Sequence, residues 1–97
     1  MKFRLTPRAL SEAERMQSWW RENRPDSPAL FDDELADAIG RICAKPGIGT
    51  LYPASVGPTV RRVLMPTTQN HIYFAVRDNE IVVLSVWGAP RERGPKL

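Results

Sequence analysis

The chain has 97 residues, of which 42% are hydrophobic and 26% are charged, and this balance argues against a disordered or a membrane-embedded protein. No stretch approaches the roughly 18 apolar residues of a spanning helix, and Met1 leads into no signal-peptide core. The single cysteine, Cys43, excludes a disulfide within the chain. We therefore expect one cytoplasmic domain over residues 1–97, with a basic tail at residues 89–97.

Charge is unevenly distributed along the chain. Residues 1–49 hold 8 basic and 8 acidic side chains, whereas residues 50–97 hold 6 basic and 3 acidic ones, which accounts for the net charge of +3. A basic second half indicates an anionic partner. One His and one Cys without carboxylate–histidine spacing predict no metal site, and no phosphate-binding motif is present, so we expect no cofactor.

The first elements in chain order are a predicted short strand and a helix. "KFRL" (residues 2–5) is the strand, and residues 8–23 form the helix because apolar side chains recur on one helical face. A Thr-Pro pair at residues 6–7 and a capping box at residues 11–14 compete as its start, and Pro25 stops it. The apolar stripe consists of Ala9, Ala13, Met16 and Trp20, with Trp19 on its flank.

A second helix is predicted to follow after a tight turn. Ser27-Pro28 is its start signal, and acidic residues at 32–34 occupy its first turns, where the helix dipole favours them. The Lys-Pro-Gly of residues 45–47 ends it. Its apolar stripe consists of Phe31, Leu35, Ala38, Ile39 and Ile42. The two helices are therefore expected to form an antiparallel helical hairpin.

The second half of the chain is predicted to be β-structure. Residues 47–59 form a loop rich in Gly and Pro, and three strands follow at residues 60–65, 71–77 and 80–87. Asp78 and Asn79 tolerate positive φ and fit a two-residue hairpin turn. The order is β-α-α-β-β-β. The fold class is α+β: a short N-terminal strand and an antiparallel helical hairpin packed on one face of a small twisted antiparallel sheet.

A turn at residues 78–79 determines which side chains share a face of the sheet. It pairs Arg77 with Glu80, Ala75 with Val82, Tyr73 with Leu84 and His71 with Val86. The helices are expected to cover the opposite, more apolar set, which is Ile72, Phe74, Val76, Ile81, Val83 and Trp87. An apolar strip of Val82, Leu84 and Val86 then remains uncovered, which is typical of a partner site. A homodimer contact and a tail that folds back are the alternatives.

The sequence resembles the RelE/ParE toxin superfamily and is most similar to its ParE-like branch. The resemblance lies in "LTPRA", "WWRENRPDSPALFDDEL", "KPGIG", "VRRVLM", "HIYFAV" and "VLSVWGAPRERGPKL", which follow one another over nearly the whole chain. It implies a bacterial type II toxin held inactive by a cognate antitoxin in a hetero-oligomer. An antitoxin segment is expected to lie across the helices and the sheet. The residues predicted to contact it are Trp19, Tyr73, Val82, Leu84 and Val86.

Two toxic activities occur in the superfamily. ParE-like members block DNA gyrase, and this is the predicted activity, which makes the chain an inhibitor rather than an enzyme. The alternative is a RelE-like, ribosome-dependent mRNA endoribonuclease. For that alternative the resemblance implies Arg61 or Arg62 in place of a strand lysine, His71 in place of an arginine, and Arg91 as a retained arginine. A tyrosine expected after Arg91 is missing. A member whose toxicity is weak or lost is a third hypothesis.

The tail "GAPRERGPKL" is predicted to serve the target rather than the fold. Its positive charge suits an acidic or DNA-bound target, so Arg91 and Arg93 are expected to contact it. An exposed tail adds little to stability. Removal of residues 91–97 is therefore expected to leave the melting temperature nearly unchanged.

Overall fold

The computed structural model describes residues 1–53, 57, 59–89 and 93–97. In this part of the chain, two helices pack on a five-stranded mixed sheet, which confirms the predicted α+β fold class. The helices are α1 (Pro7–Asn23) and α2 (Leu30–Ala44). The strands are β1 (Lys2–Leu5), β2 (Thr50–Tyr52), β3 (Val60–Met65), β4 (Asn70–Arg77) and β5 (Glu80–Gly88). Neither helix is long and apolar enough to cross a membrane.

The first of the two predicted start signals determines where α1 begins. Thr6 is the N-cap, and its hydroxyl accepts a hydrogen bond of 3.2 Å from the Ala9 backbone N–H, while Pro7 fills the first helical position. The helix ends at Asn23 as predicted, and Arg24, the residue before Pro25, is its C-cap. Helix α2 begins at Leu30, later than the predicted Ser27-Pro28 start, because backbone hydrogen bonds close turns over residues 24–30 first.

The sheet has the order β1-β5-β4-β3-β2. Strands β2, β3, β4 and β5 are joined by three antiparallel pairings between successive strands. The β3–β4 and β4–β5 pairings are those predicted for strands 60–65, 71–77 and 80–87. The sheet also differs from the prediction in two respects. Strand β1 pairs with β5 in parallel, so the sheet is mixed, and residues 50–52 of the predicted loop form the edge strand β2. The parallel pairing of β1 joins opposite ends of the chain, and the Gly- and Pro-rich pattern around β2 resembles a loop, so local sequence patterns encode neither feature.

The β4–β5 hairpin confirms the predicted turn but only half of the predicted register. Asp78 and Asn79 have φ values of 49° and 64°, and the pairs from Arg77↔Glu80 to Ala75↔Val82 are those expected. A β-bulge then inserts an extra residue in β5. Beyond the bulge, Tyr73 pairs with Ser85 and His71 pairs with Trp87, so the predicted Tyr73–Leu84 and His71–Val86 pairs are wrong.

The bulge exchanges the faces of two predicted side chains. Val86 belongs to the core under the helices, whereas Trp87 pairs with His71 on the opposite face of the sheet. We call this opposite face, which the helices do not cover, the open face. The helix-side core is contiguous and includes Ala9, Ala13, Phe31, Leu35, Ala38, Ile39, Ile42, Val63, Met65, Ile72, Phe74, Ile81, Val83 and Val86.

A second, smaller group of buried side chains lies on the open face. It comprises Val60, Tyr73, Ala75 and Val82, each at most 3% exposed and none part of the helix-side core. The preferred expectation was an uncovered strip on this face, and cover by a tail that folds back was one of the alternatives. The chain therefore supplies its own cover for the centre of the open face.

Candidate functional site

An aromatic and basic cluster occupies the open face. The Tyr52 and Tyr73 rings meet edge to face with centroids 4.6 Å apart, and His71 meets Tyr73 in the same way at 5.9 Å. The guanidinium carbon of Arg62 lies 5.7 Å from the centroid of the Tyr52 ring. We call Tyr52, Arg62, His71, Tyr73 and Trp87 the open-face cluster. It brings together two of the residues predicted for the nuclease alternative, Arg62 and His71.

The pairing of β3 with β4 separates the two adjacent arginines. Arg62 pairs with Tyr73 and shares the open face with His71, whereas Arg61 pairs with Phe74, a residue of the helix-side core. Only Arg62 can therefore line a site with His71. Burial, and secondarily the charge of Arg62, lower the pKa of His71. His71 is consequently a neutral imidazole at neutral pH, able to accept a proton.

Tyr52 was not among the predicted site residues, although it is central to the cluster. Burial raises the pKa of its hydroxyl, as does the neighbouring Tyr73, and these effects outweigh the opposing charges of Arg62 and Arg8. The hydroxyl thus keeps its proton and donates a hydrogen bond of 2.7 Å to the Pro95 carbonyl. The sequence offered no signal for this role, because Tyr52 stands in a Pro- and Gly-rich stretch that resembles a loop.

Residues 93–97 lie against the body of the chain and are not the solvated tail that was predicted. Pro95 is buried, and Arg8 donates a hydrogen bond of 2.7 Å to the Lys96 carbonyl. The Trp87 indole N–H donates to the Arg93 carbonyl at 2.9 Å, while Arg93 as a residue is exposed. Of the two arginines assigned to the target, Arg91 lies outside the described residues.

Three of the five residues predicted to contact an antitoxin are buried in the chain itself. Tyr73 and Val82 belong to the buried group of the open face, and Val86 is part of the helix-side core. The prediction of an uncovered apolar strip is therefore wrong. The bulge turns Val86 toward the helices, and Val82 is buried on the open face. Leu84 is half-buried.

Trp19 is the predicted contact residue that remains accessible. It is 49% exposed and meets Trp20 edge to face, with ring centroids 5.5 Å apart. A groove runs beside it between α1 and the end of β5, where Met16 and Trp87 form part of the wall. This position on the flank of the helical stripe is the one predicted for Trp19.

A second groove lies where the end of α2 approaches β3. Its basic lining consists of Arg41, Lys45 and Arg62, with His71 beside them, and no carboxylate of the described residues lines it. The sequence analysis missed Arg41 and Lys45, because they are separated from the β-strands along the chain. Among the described residues, no three His, Cys, Asp or Glu side chains are grouped as a metal site requires.

Comparison with known proteins places the chain within one family. The family profile described as "ParE toxin of type II toxin-antitoxin system, parDE" matches residues 3–92. No curated protein matches the sequence. A solved structure described as "Chromosomal ParDE TA system from P. aeruginosa" superposes with a TM-score of 0.70 and 18% sequence identity, over 91% of this chain and 95% of that chain. At this identity the likeness shows a shared fold.

Proposed function

This chain belongs to the ParE toxin family of type II toxin–antitoxin systems, and on that basis we propose that it arrests growth by inhibiting DNA gyrase and that a cognate antitoxin neutralises it. The family match over residues 3–92 is the observation that carries the proposal. The ParE-like branch, which the sequence resembles, acts on gyrase rather than on the ribosome. The chain then works in the cytoplasm, where gyrase and DNA are found.

The chemistry of the open face supports an inhibitor over a nuclease. Cleavage of RNA through its 2′-hydroxyl needs a base, an acid and cations on the phosphate. Arg62, with Arg41 and Lys45 in the same groove, supplies cations, and the neutral His71 supplies one proton acceptor. Arg61 lies on the other face, and the Tyr52 hydroxyl is bonded to the chain's own Pro95 carbonyl. Among the described residues the catalytic set is thus incomplete. The ribosome-dependent nuclease remains the alternative, because Arg62 and His71 lie together on the open face.

The antitoxin contact is proposed at the Trp19 groove. Trp19 is large and half exposed, and aromatic side chains of this kind carry much of the binding energy at protein interfaces. An apolar side chain of an antitoxin segment can enter the groove between Trp19 and Trp87. Leu84, which is half-buried, is the second candidate. The toxin and antitoxin would then form a hetero-oligomer.

The target contact is proposed at the two tail arginines, Arg91 and Arg93. Arg93 is exposed even though its carbonyl is bonded to Trp87, so its side chain remains accessible to an acidic partner. The basic second half of the chain suits gyrase engaged on DNA. In this arrangement the fold holds the backbone of residues 93–97, and the arginine charges serve the target.

Purified protein tests the proposal directly. We expect the chain to inhibit negative supercoiling of relaxed plasmid by gyrase in a dose-dependent manner. Addition of the antitoxin from the adjacent reading frame should restore supercoiling at a stoichiometric ratio. Supercoiling that proceeds at the control rate with excess protein would refute the gyrase target, and inhibition that persists with the antitoxin bound would refute neutralisation.

A further inference from the structure

The open face holds the C-terminal residues through their backbone. Three side chains from three different elements each donate a hydrogen bond to a main-chain carbonyl of residues 93–97. Arg8 of α1 donates to Lys96, Tyr52 of β2 donates to Pro95, and the Trp87 indole of β5 donates to Arg93, at 2.7, 2.7 and 2.9 Å. Bonds of this kind recognise an extended backbone rather than particular side chains.

Steric fit adds a requirement for glycine at one position. A Cβ atom built on Gly94 would lie 2.9 Å from two ring carbons of Tyr52, which is closer than real Cβ contacts. The Tyr52 ring cannot easily move aside, since the Tyr73 ring packs against it at 4.6 Å and Arg62 lies over it. Pro95, the next residue, is buried. The face therefore accepts a Gly-Pro step and excludes a larger residue before the proline.

The three donors are themselves held in place by the fold. The Arg8 guanidinium also lies 5.7 Å from the Trp87 ring centroid and contacts the buried Glu12 carboxylate at 3.5 Å. The Tyr52 ring is fixed by its edge-to-face contact with Tyr73 and by Arg62 over its face. Such preorganised donors lower the entropy lost when a segment binds. The geometry is that of a formed peptide site rather than of a chance contact by a chain end.

We propose that the open face is a binding site for an extended peptide containing Gly-Pro, and that the chain fills this site with its own residues 93–97. This proposal goes beyond the gyrase proposal and does not depend on it. The docked segment lies against Tyr52 and Trp87 of the open-face cluster. A short tether gives the segment an effective concentration on the order of millimolar, so a free peptide of the same sequence competes poorly while the segment is docked.

The test uses the full chain and the variant Gly94→Ala, with a free peptide of residues 89–97 ("APRERGPKL") as the probe. The added methyl group should displace the segment and shift the NMR signal of the Trp87 indole N–H. The peptide should then bind the variant and return the signal toward its parent position. Binding to the parent protein should be roughly tenfold weaker or more, because the tethered segment occupies the site.

Two controls define the specificity of the site. A peptide with alanine in place of its glycine should not bind the variant, since the same Cβ clash applies. The protein variant Gly47→Ala should behave like the parent, because no atom lies within 4 Å of the added Cβ at that exposed glycine. A Gly94→Ala protein with an unshifted indole signal, or one that ignores the parent peptide, would overturn the proposal.

A milder variant decides the question if Gly94→Ala does not fold. Tyr52→Phe removes only the hydroxyl that donates to Pro95 and keeps the ring packing. Loss of one of the three bonds should increase solvent exchange of the Trp87 indole N–H. Exchange at the parent rate in Tyr52→Phe would show that the segment is not held by these donors and would overturn the proposal.

Discussion

Glu12 is a buried carboxylate that joins α1 to the bulged part of β5. It is 5% exposed, and one of its oxygens accepts hydrogen bonds from the Ser85 hydroxyl at 2.8 Å and the Val86 backbone N–H at 3.1 Å. A bulge disrupts the ladder locally, so such an N–H needs a partner from elsewhere. Glu12 provides that partner and thereby fixes the position at which Val86 turns inward.

Glu12→Ala is expected to destabilise the fold by about 1–3 kcal/mol, because it leaves the buried Val86 N–H and Ser85 hydroxyl without their acceptor. Urea denaturation followed by circular dichroism measures this change. Glu14→Ala is the matched control, since Glu14 is exposed on the same helix and should change the free energy of unfolding by less than about 0.5 kcal/mol. Equal stability of the two variants would contradict this role for Glu12.

Glu34 makes the free energy of unfolding depend on pH in the acid range. Burial alone would raise the pKa of its carboxyl, but hydrogen bonds from the Thr68 hydroxyl and from the Thr68 and Thr67 backbone N–H groups outweigh this and lower it below 4.5. A lowered pKa in the folded state stabilises the protein above pH 4.5, and this contribution is lost as the pH falls through the folded value.

The difference in unfolding free energy between the parent and Glu34→Gln should therefore shrink as the pH is lowered from about 6 to about 3. Urea titrations at a series of pH values would measure it. Asp33→Asn, at an exposed neighbouring position, serves as the control for general charge effects. A difference that stays constant over this range would show that the Glu34 carboxylate does not stabilise the β3–β4 turn through its charge.

At the scale of elements, local sequence signals predicted the helices and most strands well. The Thr6-Pro7 cap and the Asp78-Asn79 turn encode their geometry within a few residues, so α1 and the β4–β5 hairpin form where expected. The bulge in β5 could not be predicted in this way. Its partner, Glu12, is 73 residues from Ser85 along the chain, and no glycine or proline marks the position.

The same limit explains what was missed at the candidate site. Arg62 and His71 were named from the family resemblance, with Arg61 left open as the alternative, and only the pairing of β3 with β4 selects Arg62. The contacts of Tyr52, Arg8 and residues 93–97 join opposite ends of the chain, and the local pattern of a Gly- and Pro-rich tail indicates exposure instead.

The docked C-terminal segment changes how the target role of the tail should be tested. Deletion of residues 91–97 would now remove buried Pro95 and its contacts, so a loss of toxicity could reflect a weaker fold. The double charge reversal Arg91→Glu, Arg93→Glu changes the charge and leaves the Gly-Pro step intact. We expect this variant to lose most of its inhibition of growth at an unchanged melting temperature.

Full toxicity of the charge-reversed protein at equal expression would contradict a target role for the two arginines. Lys96→Glu is a useful comparison, because it reverses an exposed charge within the same segment. A loss of activity confined to the double variant would assign the effect to the arginines rather than to net charge. Inhibition by the parent should also weaken as the salt concentration rises.

At the scale of the whole molecule, the two proposed partners use different parts of the surface. The proposed antitoxin site is at Trp19 on the helical side, whereas Arg93 of the proposed target site belongs to the segment 93–97 that Tyr52 and Trp87 hold. With its tail docked, the chain has a radius of gyration of 13.0 Å, which is about the value for a folded domain of 100 residues. Trp19 is not among the three donors that hold residues 93–97, so its substitution leaves those hydrogen bonds in place.

Trp19→Ala should accordingly weaken the complex with the antitoxin by about 2 kcal/mol or more and leave the melting temperature nearly unchanged. Isothermal titration calorimetry with the purified antitoxin measures the affinity. Leu10→Ala is the control, because Leu10 is exposed to a similar extent on the same helix but does not line the groove beside Trp19. Equal affinities of the parent and the Trp19 variant would exclude this groove as the antitoxin site.

The most direct test of the proposed function compares both toxic activities in one preparation. The parent and His71→Ala are assayed side by side for inhibition of gyrase supercoiling and for cleavage of mRNA on ribosomes. We predict that both proteins inhibit supercoiling to the same extent and that neither cleaves mRNA. Cleavage of mRNA by the parent, abolished in His71→Ala and accompanied by normal supercoiling, would contradict the gyrase proposal and establish the ribonuclease in its place.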